Sequence, residues 1–170
     1  MSEKPFVEAR ELIDLSPGTS IAIWAFRSCA MGMTRCDCLP MIFSDLFGEE
    51  GRDVLRHVLV LAQVIGHSGQ RKLSLTYPNS QRVTHDEASL LRALNAAQRG
   101  RNATVYAQLH WIMAGAEVSP ARKALTYVAE KFFNRGLIIS DPYAKSRTQS
   151  EDEPATLEHR IARFVLKPSR

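Results

Sequence analysis

Apolar positions recur along most of this chain at the three- and four-residue spacing of helices that bury one face. The cleanest stripe is Val54, Leu55, Val58, Leu61, Ala62 and Ile65. Val60 and Val64 widen it, so the pattern predicts a central helix over 51–66. Ala22, Ala25, Phe26 and Cys29 share a face at i, i+3, i+4, i+7. They predict a helix capped by Thr19 or Ser20, running to about Met31, with Gly32 as its stop. A buried strand over Ile21–Phe26 fits the same run. Met1–Leu15 is weakly amphipathic and ends at the turn signal Ser16-Pro17-Gly18.

The next helix has the sharpest start. Thr84-His85-Asp86-Glu87 is a capping box, in which the Thr84 hydroxyl accepts from the Glu87 amide and the Glu87 carboxylate reaches back. This helix runs to Arg99 and stops at Gly100. A second, 102–114, carries the stripe Val105, Tyr106, Leu109, Ile112, Met113 and ends at Gly115. The short link makes the two neighbours. Ser119 as N-cap with Pro120 at the first helical position opens another helix, which ends at Gly136. Residues 33–40 read as a loop because Pro40 biases Leu39 away from helix, leaving a short helical turn over Met41–Phe47. Lys72–Thr76 and Leu137–Ile139 are candidates for short strands or extended links. Trp24 and Trp111 sit in apolar patterns and are expected in the core.

These elements predict a mainly α-helical single domain of five to seven helices, with room for one small strand pair. The globular part covers 1–140, the polar 141–155 stretch is a flexible linker, and 156–170 is a basic amphipathic segment. The core is expected from the helices at 51–66, 85–99, 102–114 and 120–135. A length of 170 residues suits one domain. Hydrophobic content of 45% and charged content of 24% suit a soluble globular protein. No apolar run reaches the ~20 residues of a membrane span, and the acidic first fifteen residues lack a secretory pattern. A cytoplasmic location is the expectation.

The net charge of +4 is unevenly spread. Residues 1–50 hold four basic and eight acidic residues, whereas 51–140 hold twelve basic and five acidic. A basic body of this kind could meet nucleic acid through Arg82, Arg92, Arg99, Arg101, Arg122, Lys123, Lys131 and Arg135. The arginines are scattered, however, which favours a solvated mixed surface. Between Asn102 and Ala114 there is no Lys or Arg, which argues against a DNA-reading helix there.

All three cysteines lie within ten residues, at Cys29, Cys36 and Cys38. Clustered thiolates suit a soft metal such as zinc or iron, or a redox reaction. The set is one ligand short of a tetrahedral site, with Asp37, His57 or His67 as candidates for the fourth. Without a secretory signal, thiols or a metal are expected over disulfides. If 19–31 is helical, Cys29 points to the core. No two of the five histidines are spaced i, i+3 or i+4. Phosphate-loop, serine-hydrolase, zinc-protease and dinucleotide signatures are absent, which favours a non-catalytic protein-interaction or regulatory module. A thiolate sensor and a nucleic-acid binder are the alternatives. The expected partner is a protein or a second copy. The candidate surface for it is Leu157, Ile161, Phe164 and Val165, one helical face whose burial is worth about 6–10 kcal/mol before ordering costs.

Overall fold

A computed structural model describes residues 11–33, 37–144 and 157–166. Among them are seven α-helices: α1 (Pro17–Ala30), α2 (Cys38–Phe47), α3 (Gly51–Ser68), α4 (His85–Gln98), α5 (Asn102–Ile112), α6 (Ser119–Asn134) and α7 (Leu157–Val165). There is no strand among the described residues. Among the described residues, no helix is long and apolar enough to cross a membrane. The mainly α-helical single domain is therefore observed, and both strand candidates are extended segments. The greater part of the 141–155 linker, and residues 1–10, lie outside the described residues.

The buried centre is α1, where every residue from Gly18 to Cys29 is buried. A helix covered on all sides has no polar stripe, which is why Ile21–Phe26 also fits a strand. The boundary residues decide for helix. Ser16 is extended, Pro17 takes the first helical position, and Gly32 ends the run at a φ of 71°. Around α1 pack α3, α4 and α7, while α2 and α6 lie on α3, and α5 lies on α4. Phe43 and Phe47 of α2 meet Phe132 of α6 with ring centroids 5.1–6.4 Å apart. Such tilted and edge-on pairs add about 0.5–1.5 kcal/mol beyond area burial.

Five expectations need correction. The central helix is α1 and not 51–66, and Thr19 and Ser20 lie inside α1, whose N-cap is Ser16, instead of capping it. The 33–40 loop gives way to helix at Cys38, because Pro40 falls in the first turn of α2, where an amide has no intrahelical partner to lose. Ser119 is not a cap. It is the first residue of α6, and its amide and hydroxyl both donate to Glu117 Oε1, at 2.8 and 2.6 Å. Trp111 is 55% exposed and Tyr106 is 51% exposed. Both lie off the buried line of Val105, Leu109 and Ile112. Trp24 is buried as expected.

The extended segments obtain their backbone hydrogen bonds from side chains. In 137–140, the Gln98 amide group donates to Leu137 O (2.9 Å) and its oxygen accepts from Ile139 N (2.9 Å). Asn95 Nδ2 donates to Ile139 O, and Thr19 Oγ1 accepts from Ser140 N. This segment crosses α1 so closely that a Cβ on Gly18 would sit 2.7 Å from Ile138 O. The Ser16 hydroxyl also donates to Ile138 O.

Candidate functional site: an apolar cleft beside a buried ion pair

Arg27 projects from the C-terminal half of α1 and is fully buried, as is Glu87 in the first turn of α4. Arg27 Nε and Nη2 grip the two Glu87 oxygens at 2.8 and 2.9 Å. The remaining guanidinium donors reach the carbonyls of Pro78 (3.4 Å), Ser80 (2.9 Å) and Arg82 (2.7 Å). Glu87 in turn accepts from the amides of Thr76 and Thr84, each at 2.9 Å. The expected capping box is present, with Thr84 Oγ1 accepting from Glu87 N at 3.1 Å. Burial pulls the Glu87 carboxyl upward, but the Arg27 guanidinium and the two amides outweigh it and hold it below the ordinary range.

One residue earlier, Asp86 accepts a two-pronged grip from Arg71 at 2.6 and 3.0 Å and the Ser74 amide at 2.8 Å. The Arg71 hydrogen bonds lower its pKa, against partial burial. Together, adjacent carboxylates on α4 give the extended 70–84 segment a fixed course without a sheet partner. Gln70 N donates to Met113 O and fastens the beginning of the segment to the end of α5.

The course of that segment leaves a cleft of about 520 Å3 between it and the C-terminal halves of α1 and α3. Phe26, Cys29, Ala62, Ile65, Leu73 and Leu75 supply apolar walls. Gln63, His67, Arg71 and Lys72 supply the polar rim. The Arg71 charge is matched by Asp86, and His67 Nδ1 lies 2.8 Å from Gln63 O. Lys72 is exposed and makes no ion pair among the described residues. Gly66 also lines the cleft, and a Cβ built there meets nothing within 4 Å. An alanine would therefore fit this helical position, which a glycine destabilises by roughly 0.5–1 kcal/mol.

Cys29 lines the cleft as a free thiol, and burial pushes its pKa up to about 11. Cys38 opens α2, half-buried, and its sulfur is in a disulfide, contrary to the expectation of thiols or a metal over disulfides. Cys36 lies outside the described residues. His57, in mid-α3, stacks on Tyr127 of α6 at 3.8 Å and faces Asp53 O through Nδ1 at 2.7 Å. Among the described residues, no three His, Cys, Asp or Glu side chains gather into a metal-sized group. Of the expected partner-binding residues, Ile161 and Val165 are buried where α7 packs on α1, while Leu157 and Phe164 are exposed. Of the basic set, Arg92 pairs with Asp141, Lys131 pairs with Glu50, and Arg135 donates to Phe47 O.

Arg27 and the cleft were not singled out from the sequence, and Glu87 stands out there as a capping residue alone. A lone arginine inside the apolar run from Ile21 to Cys29 is the signal that could have found the ion pair. The cleft left no signal, because its walls come from the end of α1 and from the stretch 59–75, which lies about thirty residues further along the chain. No family model, curated protein or solved structure matches this chain.

Proposed function

We propose that this protein is a non-catalytic interaction module whose cleft receives an apolar, acidic segment of a partner protein. One observation carries the reading: an apolar cleft of about 520 Å3 whose uncompensated rim charge is the Lys72 ammonium. Apolar walls with a few polar groups at the mouth suit side chains that are buried while a flanking carboxylate meets the rim. The other charged and reactive groups of the lining are spoken for or inert. Cys29, with a pKa near 11, is a protonated thiol at neutral pH and a poor nucleophile. Arg71 is held by Asp86. The glycine at 66 keeps the mouth open at a position where alanine would stabilise the helix.

Thiolate-metal and nucleic-acid readings have weaker support. The first would require opening the Cys38 disulfide, and the second loses several of its cations to intramolecular partners.

Selection from a displayed library of random peptides tests the proposal. Wild-type protein should enrich apolar peptides that carry Asp or Glu. Gly66→Leu should fill the mouth, weaken those peptides by about tenfold or more, and keep or raise thermal stability. Lys72→Glu should weaken acidic peptides selectively and remove their salt dependence. No enrichment, or binding indifferent to Gly66→Leu, would refute the reading.

A further inference from the structure

The outward face of α5 is not used by the fold. From Asn102 to Ala116 the sequence has no Lys, Arg, Asp or Glu. Val105, Leu109 and Ile112 face the core, and Ala103, Tyr106, Ala107, His110 and Trp111 are exposed. Ala103, Ala107 and His110 line up at i, i+4, i+7, with Tyr106 on one flank and Trp111 on the other. Both rings are held in place. Tyr106 stacks on His110 at 5.8 Å, and Trp111 meets the His85 edge at 6.2 Å and the Arg71 guanidinium at 5.6 Å. A surface helix ordinarily turns charges to water. A charge-free face with a tryptophan and a tyrosine has the composition of an interface core.

Within the stretch itself charge returns at the two ends, with opposite sign; on the Trp111 flank the Arg71 guanidinium lies over the ring, paired with Asp86. Exposed Arg99 and Arg101 precede α5, and exposed Glu117 follows it. A partner that matches this face must be apolar in the middle, acidic at one end and basic at the other. A second α5 meets all three conditions when laid antiparallel, with the two-fold axis passing between Gln108 and Leu109. In that register the arginine end of each copy lies toward the Glu117 end of the other, and Ala107 faces His110. Tyr106 and Trp111 each meet their own counterpart along the two flanks. The helix dipoles oppose as well. A parallel pairing would set arginine against arginine.

We propose that α5 is the self-complementary contact of a homodimer of this chain, formed about a two-fold axis. The proposal rests on different observations from the cleft, although Arg71 borders both.

Sedimentation equilibrium of the full chain tests it. Wild-type protein should show a concentration-dependent shift between monomer and dimer mass. Ala107→Glu places a charge at the dyad and should weaken the dimer by about tenfold or more, with an unchanged helical spectrum. Arg101→Glu and Glu117→Lys should each weaken it, and the two together should restore it. A constant monomer mass up to about 200 μM, a range that detects even weak association, would overturn the proposal. So would a dimer insensitive to Ala107→Glu, or one that depends on Leu157 and Phe164 instead. Failure of the double variant to recover would overturn the antiparallel register.

Discussion

Arg27 has all five donors occupied, and this sets it apart from an ordinary buried ion pair. Replacing such a pair by apolar residues is often harmless. Here it would orphan the carbonyls of Pro78, Ser80 and Arg82 and the amides of Thr76 and Thr84. Removing one charge should cost more. Glu87→Gln is expected to destabilise the protein by about 3–5 kcal/mol, because it leaves the buried guanidinium without its counter-charge. The pH dependence follows from the same contact. The folded-state pKa of Glu87 is below its ordinary 4.5, so the unfolded chain binds the proton more readily. The contribution is present above that value and is lost as pH falls through the folded one. Asp86 acts in the same direction. Urea midpoints should hold steady near neutrality and fall below about pH 4.5, and Glu87→Gln should flatten that fall. An arginine amid apolar neighbours and the Glu of a capping box are both visible in the sequence. Their pairing across sixty residues is not, because a cap glutamate has a sufficient local partner in its own N-cap amide.

At the scale of elements, the helices that end on glycine or begin with a side-chain cap are those whose limits the sequence showed. Gly32, Gly100 and Gly136 take positive φ at the ends of α1, α4 and α6, and Thr84 caps α4. The start of α2 was hidden because proline breaks a helix interior but is tolerated in a first turn. The outward turn of Trp111 was hidden because residue type suggests burial while register decides it. The tail behaves likewise. Its apolar face is real, yet Ile161, Ala162 and Val165 are buried against α1 while Leu157 and Phe164 remain exposed. Deleting 157–170 should therefore lower stability by about 2–4 kcal/mol, from lost apolar burial less the ordering of one short helix. Thermal melts of the truncated and full chains at equal concentration check this. An unchanged midpoint would mean that α7 does not hold α1 in solution.

In the whole molecule, α1 is wrapped by helices and also stitched by two extended segments, 137–140 at its beginning and 70–84 near its end. These segments carry no secondary structure, yet the amides of Ser74, Thr76, Thr84, Ile139 and Ser140 end on buried or half-buried side chains. Thr76 and Thr84 donate to a carboxylate at zero exposure, which cannot be reached by water unless α1 and α4 part. Irregular backbone ordinarily exchanges its amide protons with solvent in local fluctuations. Here the rule should invert. In deuterium exchange, Thr76 and Thr84 should be protected as strongly as the interior of α1, and more strongly than the exposed first turn of α5. Glu87→Gln should release Thr76 and Thr84 first. A stretch that resembles a connector would then belong to the last unit of the molecule to open.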